Sequence, residues 1–253
     1  MPEPQLAVPG GRTALVLVRP RVAENIGAAA RIACNFAIDS LIVIRDQAPE
    51  QEAMLKLATH KAAALIHTME LHQDLATALR PFQFVVGTTA RYGRQRGVDR
   101  SPREVCAELR PHLGKHHIAL VFGPESTGLS NAELDLCHMV SAIPTADFSS
   151  LNLAQAVAIH AYELFLAARE QADTAHPIIE YANTRQLEGM YGHIAEVLAA
   201  VDFLQDSDQA YWMRSIRKFL HRTRLRKKEA TIIRGICRKM LWRLQRPNDS
   251  PLP

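Results

Sequence analysis

ALVLVRPRVAENIGAAARIACNF, residues 14–36, changes its periodicity part-way along. Ala14–Val18 is apolar at every position and is stopped by Arg19-Pro20, where a proline cannot continue a strand ladder. A run that is apolar throughout, rather than at alternate residues, fits a strand buried on both faces of a parallel sheet. From Asn25 onward the apolar residues recur at helical spacing. Ile26, Ala29, Ala30, Ala33 and Ala37 form one face, and Asn25 is placed to act as the N-cap. Gly27, Arg31 and Asn35 fall on a separate stripe spaced by four; spacing alone favours a surface arginine on a capped helix, while the small residues around Arg31 leave room for the backbone of a ligand.

The same alternation continues down the chain. Strand-like runs are expected at Leu41–Ile44, Phe84–Gly87, Ile118–Phe122 and Met139–Ile143, with a weaker sixth near Leu65–Thr68. Helix-like stretches cover Asn25–Ala37, Glu50–Ala64, Leu71–Leu79, Pro102–Leu113, Asn131–Cys137 and Leu153–Arg169. Strands alternating with helices predict an α/β domain with a mainly parallel sheet. Residues 1–12, with three prolines and Gly10-Gly11, read as a loose tail, and the α/β domain spans 13–172. After a polar stretch ending at Pro177 no strand-like run returns, so 173–253 is expected to be a small all-α extension. Within it Trp212, Ile216, Phe219 and Leu220, and likewise Ile232, Ile233, Ile236 and Met240, recur at helical spacing and are expected to pack.

The 253 residues are 47% hydrophobic and 22% charged, an ordinary globular balance that excludes a disordered or collagen-like chain. Apolar runs are too short to span a membrane, and MPEPQLAVPGG lacks the pattern of a signal peptide. Four cysteines without a CxxC pair argue against a zinc site or a disulfide framework, so no metal is expected and a reducing cytoplasm is the default location. The net charge of +4 conceals a segregation: residues 211–246 hold thirteen Lys/Arg against Glu229 alone, leaving 17 bases and 25 acids on the rest of the chain. A basic segment on an acidic body suits a phosphate backbone, and Arg214, Lys218 and Arg222 (an i, i+4, i+8 stripe), with Arg224, are the candidate RNA-binding residues.

No GxGxxG follows the first strand and no Walker-type GK[ST] occurs, so the usual nucleotide signatures are missing. Two later junctions carry possible chemistry. In HIALVFGPESTGLSNAEL, Gly123 and Gly128 flank a tight connection with Glu125 at the carboxyl end of a strand, the edge where open α/β sheets bind ligands. Ser130 and Glu133 have the spacing of a capping box and read as structural. In IPTADFSSLNLAQAV, Ser149, Ser150 and Asn152 precede a long apolar helix, and they are more polar residues than one cap requires.

Taken in order, Pro20-x4-Asn25-Ile26-Gly27-x3-Arg31, LVFGPESTGLS and SSLNLAQAV resemble the three signature motifs of the TrmH-like 2′-O-methyltransferases of the SPOUT superfamily, over residues 12–170. MYGHIAEVLAAVDFL, FLHRTRL and EATIIRGI resemble the carboxyl-terminal extension of the TrmJ branch, which methylates the ribose of cytidine or uridine 32 in the tRNA anticodon loop. Pro124 and Thr231 depart from the pattern. The resemblance implies a carboxyl-side trefoil knot, S-adenosyl-L-methionine as cofactor, tRNA as substrate, and a homodimer whose active site uses both chains. The helices beginning near Asn25 and Leu153 are the candidate interface. It implies cofactor contacts at Thr88, Thr89, Ala90, Gly123, Ile143, Ser149, Ser150 and Leu151. The catalytic candidates are Arg31, Asn25, Glu125, Ser150 and Asn152. Arginine stays protonated in proteins, so Arg31 is better cast as an electrostatic and orienting group than as a base. Competing readings are an RNA-binding protein that has lost catalysis, a 2′-O-methyltransferase of another RNA such as rRNA, and a small-molecule α/β enzyme with an unrelated basic tail.

Overall fold

The computed structural model describes residues 11–90, 100–147, 150–171, 179–204 and 208–245. It divides into two compact units, Met1–Ile178 and Ile179–Pro253.

The first unit is built on a six-stranded sheet in the order β3-β2-β1-β5-β4-β6, in which every pairing is parallel. Its strands are β1 (Thr13–Val18), β2 (Ser40–Ile44), β3 (Glu70–His72), β4 (Phe84–Thr88), β5 (Ile118–Phe122) and β6 (Met139–Ser141). All six residues of β1 are buried, as the unbroken apolar run demands of a strand covered on both faces. Val16, Val18, Ile42, Ile44, Val85 and Val121 join Leu75, Leu79 and Phe82 in one buried cluster on one face of the sheet.

The helices are α1 (Ala23–Asn35), α2 (Gln51–Leu57), α3 (His60–His67), α4 (Leu75–Leu79), α5 (Pro102–Leu109), α6 (Asn131–Leu134) and α7 (Leu153–Gln171). The sixth strand exists but not at Leu65–Thr68. That segment finishes α3, where Ile66 joins the buried face and the Thr68 hydroxyl donates to the Ala64 carbonyl. The strand is Glu70–His72, a half-exposed edge whose polar residues carry little hydrophobic signal. The single helix expected over Glu50–Ala64 is broken at Ala58-Thr59, and Leu71–Leu79 divides into β3 and α4, capped by the Asp74 carboxylate on the Thr77 amide. The 102–113 stretch tightens into a 3₁₀ turn at Arg110–His112, around Pro111.

Three expectations for α1 need correction. Asn25 is the third helical residue rather than the cap; Val22 holds the cap position without a side-chain bond. The helix stops at Asn35, and Ala37 takes a left-handed φ of 54° beyond it. Gly27 is not on an open stripe: it is buried, and a Cβ there would lie 1.9 Å from the Met54 carbonyl oxygen of α2. Gly27 is therefore the point at which two helix backbones touch, and the alanine face is consumed against α2, α3, α7 and the sheet. The alanine content of α1 is thus explained within one chain and does not by itself call for a second.

The second unit contains α8 (Thr184–Ala200), α9 (Gln209–Thr223) and α10 (Lys227–Leu244), joined by an isolated bridge between Tyr181 and Arg226. Its small core gathers Ala182, Leu187, Met190, Tyr191 and Ala230, with Met213, Leu220, Leu225 and Ile233 against them. The faces expected to pack are only partly used. Leu220 and Ile233 contribute, whereas Trp212, Phe219, Ile232, Ile236 and Met240 remain exposed. A helix of this composition has apolar residues wider than one stripe, and only part of that arc meets the small core.

Candidate active site

The carboxyl ends of β4, β5 and β6 and the start of α7 enclose a cavity of about 290 Å³. Thr88, Thr89 and Ala90 enter from the end of β4, and residues 122–128 from β5 and its loop. Ile143 follows β6, and Ser150, Leu151, Leu153, Ala156 and His160 come from the approach to α7 and its first turns. Two bonds fix the β4 wall: the Thr88 hydroxyl donates to the Val121 carbonyl at 3.0 Å, and the Thr89 amide to the Ser141 carbonyl at 3.0 Å.

The loop after β5 folds back on itself. Gly128 sits at a left-handed φ of 65° and its amide donates to the Pro124 carbonyl at 2.8 Å. A Cβ on Gly123 would lie 2.3 Å from both the Gly128 carbonyl carbon and the Leu129 nitrogen. Gly123 therefore lines the cavity, but what requires glycine there is the returning loop backbone rather than the approach of a ligand. Pro124, a departure from the family pattern, is accommodated in that turn. Ser130 and Glu133 form the expected capping box on α6.

Glu125 ties this loop to the first βα junction. Its carboxylate accepts from the Arg21 amide at 2.9 Å, the Asn25 side-chain amide at 2.8 Å and, more weakly, the Val22 amide at 3.4 Å. Partial burial raises its pKa, but these donors outweigh that and hold it below the usual carboxylate value. Asn25, in turn, accepts from the Asn152 side-chain amide at 3.2 Å, and Asn152 Oδ1 caps α7 by accepting from the Ala154 amide at 2.8 Å. A continuous chain Glu125–Asn25–Asn152 thus joins the β5 loop and the start of α7 to α1, whose Asn25 lies 100 positions from Glu125 and 127 from Asn152.

Of the candidate cofactor residues, Thr88, Thr89, Ala90, Gly123, Ile143, Ser150 and Leu151 line the cavity; Ser149 lies outside the described residues. Glu125 and Ser150 face it as well, whereas Asn25 and Asn152 stand behind its wall. Arg31 does not join them. It is exposed on α1, six residues beyond Asn25 and so about 9 Å further along the helix axis, and it is not among the described residues lining the cavity. The implied knot depends on the passage of the chain between β6 and α7, and residues 148–149 of that passage lie outside those described. In the second unit Arg214, Lys218 and Arg222 are exposed along α9. Arg224 is half-buried and ends that helix in the left-handed conformation. The neighbouring base Arg217 is committed elsewhere: it pairs bidentately with Glu188 and lies 4.5 Å from the Tyr191 ring centre.

His160 was not anticipated. It is buried beneath the cavity, where Nδ1 meets the Ala156 carbonyl at 2.9 Å and Nε2 the Ser141 hydroxyl at 3.0 Å. The Ala156 carbonyl requires a proton on Nδ1, so Nε2 accepts from Ser141 and the ring is neutral. Burial pushes its pKa down to about 4. The sequence signal was a histidine in register with Leu153, Val157 and Leu164 on the buried face of α7.

The lining combines apolar surface from Phe122, Ile143, Leu151 and Leu153 with the hydroxyls of Thr88, Thr89, Thr127 and Ser150, and among the described residues its one carboxylate is Glu125. That donor set fits a cationic sulfonium attached to a flat ring and a ribose; among the described residues it lacks the cations a dinucleotide pyrophosphate needs. Among the described residues no three His, Cys, Asp or Glu side chains gather as metal ligands, and no helix is long and apolar enough to cross a membrane.

Residues 12–162 match the SpoU rRNA Methylase family, and residues 185–249 match the carboxyl-terminal domain of the tRNA methyltransferase TrmJ. The chain belongs to the SpoU methylase family. Within it the chain falls in the TrmJ branch: it is 32% identical over 227 residues to the tRNA (cytidine/uridine-2′-O-)-methyltransferase TrmJ of Salmonella choleraesuis, covering 88% of this chain and 93% of that one. The corresponding Klebsiella pneumoniae protein is 34% identical over 229 residues, again covering 88% and 93%. Among solved structures, TrmJ from Z. mobilis superposes with a TM-score of 0.75 at 28% identity, over 93% of this chain and all of that one. All three SpoU-family motifs therefore converge on one sheet edge, two of them on the cavity itself and the first on the helix behind it.

Proposed function

We propose that this chain transfers a methyl group from S-adenosyl-L-methionine to the ribose 2′-hydroxyl of cytidine or uridine at position 32 of the tRNA anticodon loop, in the cytoplasm. The observation that carries the reading is that two of the family motifs line one cavity and the first is tied to them through Glu125–Asn25–Asn152. It is supported by relatives of nearly the same length that are named for 2′-O-methylation of cytidine and uridine in tRNA.

Thr88–Ala90, Gly123, Ile143, Ser150 and Leu151 would hold the cofactor, with Ser149 as a further contact. When bound, the cofactor supplies an activated methyl group, so the protein's task is to orient the ribose and stabilise charge. Arg31 keeps its proton and grips a phosphate or the oxyanion developing at the 2′-oxygen. Asn25 and Asn152 do not reach the cavity; they hold Glu125 and the start of α7 in place. Arg31 faces solvent rather than its own chain's cavity, which fits a homodimer in which each cavity is completed by the other chain. The exposed Ile159 and Tyr162 on α7 offer apolar surface for that contact. Arg214, Lys218, Arg222 and Arg224 would hold tRNA through its phosphates without reading sequence.

Ribose-methylation mapping of RNA from a strain lacking the gene tests the reading. Loss of 2′-O-methylation at tRNA position 32, restored by the wild-type gene, is expected. Loss at an rRNA position with position 32 unchanged would replace it with the rRNA alternative.

A further inference from the structure

A second cavity, of about 370 Å³, opens beyond the carboxyl ends of the three adjacent strands β1, β2 and β3. It is lined by Arg19, Pro20 and Arg21 after β1, Arg45 and Asp46 after β2, and Gln73 after β3. Three guanidiniums against one carboxylate make its lining cationic in a body that otherwise carries more acids than bases. The site is built into the sheet edge: the Arg19 amide donates to the Ile44 carbonyl at 2.9 Å, and the Arg45 amide to the His72 carbonyl at 2.8 Å. Arg19 has a left-handed φ of 46° immediately before Pro20, a backbone state that a non-glycine residue adopts only at a cost. Its guanidinium is engaged by Glu133. Arg21 is exposed and Arg45 half-buried, and the one side-chain bond of Arg45 to its surroundings that is described is a long 3.5 Å contact to the Pro20 carbonyl.

The position of this cavity gives it meaning. Residues 19–21 form part of its wall, and the amides of Arg21 and of the adjoining Val22 are held by Glu125, which lines the candidate cofactor cavity. One short loop therefore separates a methyl-donor site from a cationic one. In a nucleotide the 2′-oxygen and the 3′-phosphate are carried by adjacent ribose carbons, so a ribose presented to the first cavity carries its phosphate toward a neighbouring site. Planar guanidiniums suit phosphate oxygens. Asp46 on the wall disfavours a free phosphate dianion more than it does a singly charged diester.

We propose that this cavity binds the RNA backbone phosphate on the 3′ side of the ribose being methylated, with Arg21 and Arg45 as its ligands. The inference rests on the tRNA methyltransferase reading and adds to it a phosphate contact on the body of the protein, separate from the basic extension.

The test uses the full chain, wild type and the double variant Arg21→Gln/Arg45→Gln, with an anticodon stem-loop RNA and a copy carrying an uncharged methylphosphonate 3′ to the methylated ribose. The double variant should weaken RNA binding and reduce the salt slope of log K by about 0.7–0.9, the value for one phosphate contact. The methylphosphonate should weaken binding to wild type and have no further effect on the variant, while S-adenosylmethionine affinity stays unchanged in both. A methylphosphonate penalty of equal size in wild type and variant would overturn the proposal. So would loss of cofactor affinity in the variant, or displacement of RNA by millimolar inorganic phosphate from wild type alone, which would mark a free-phosphate site. Should the double variant fail to fold, the two single variants carry the same comparison. A wild-type protein that neither binds nor methylates tRNA would instead sink the functional reading itself.

Discussion

Replacing Glu125 should disable the site without touching any apolar core. Its carboxylate holds three donors, two at 2.8–2.9 Å and one at 3.4 Å, and the last adds little. Hydrogen bonds to a charged partner are worth about 1.5–3 kcal/mol each when buried, and partial exposure of Glu125 cuts that by about half, leaving roughly 1.5–3 kcal/mol for the two good bonds together. Glu125→Gln keeps the shape but turns one oxygen into an amide donor, which must then face either the Arg21 amide or the Asn25 side-chain amide. Gln should therefore cost nearly as much as Ala, against the usual expectation for an isostere. If that energy serves to hold the β5 loop and α1 in register, kcat for methyl transfer should fall about 10–100-fold, at 1.36 kcal/mol per decade. Binding of tRNA should change little. The assay is steady-state transfer from labelled cofactor to tRNA, with cofactor affinity measured by calorimetry. A Glu125→Gln protein with wild-type kcat would refute the argument that the carboxylate organises the site.

Arg31→Ala should abolish transfer while leaving cofactor affinity and thermal stability intact, because the exposed side chain fills no cavity; Arg31→Lys should rescue poorly, since a point charge does not reproduce a planar fork. Charge reversal of Arg214, Lys218 and Arg222 together should weaken tRNA binding and flatten its salt dependence by about 2–3 units of slope, and a variant with unchanged slope would make the stripe a merely solvated face. Gly27→Ala should destabilise the first unit by about 1–3 kcal/mol in urea denaturation, because its Cβ meets the Met54 carbonyl oxygen at 1.9 Å and backbone has to move. His160 and His112, both buried with pKa values pushed down to about 4, favour the folded state as neutral rings. Their contribution is complete above the unfolded value near 6.5 and is lost as pH falls toward about 4, so His160→Gln should flatten the decline of unfolding free energy in that window.

The parts of the fold that could be read in the sequence are those where burial is two-sided. Five strand segments are apolar at nearly every residue, and each forms a strand of the sheet. The edge strand Glu70–His72 escaped because a half-exposed strand needs no apolar run, and its place was given to Leu65–Thr68, whose leucine and isoleucine serve a helix. Gly27 was misread because periodicity marks which residues are apolar, not where a second helix comes within van der Waals distance. On α9 and α10 helical spacing predicts packed apolar faces, yet Trp212, Phe219 and Ile236 are exposed. Spacing identifies a face but not its partner. Within the site, the cavity-lining segments follow from the family resemblance, whereas the Glu125–Asn25–Asn152 chain is made of bonds spanning 100 and 127 positions and has no local signature. His160 carried a signal, a polar ring within a buried stripe, that passed unused. The three arginines of the second cavity come from two loops, Arg19 and Arg21 after β1 and Arg45 after β2, that only the strand order brings together.

Incubation of the purified chain with tritiated S-adenosyl-L-methionine and unmodified tRNA, followed by nuclease digestion to nucleosides and oligonucleotides, tests the central claim most directly. The account requires tritium in 2′-O-methylcytidine or 2′-O-methyluridine, recovered from the anticodon-loop fragment containing position 32 and lost with Arg31→Ala. Absence of transfer to tRNA, or label on a base rather than a ribose, would contradict it.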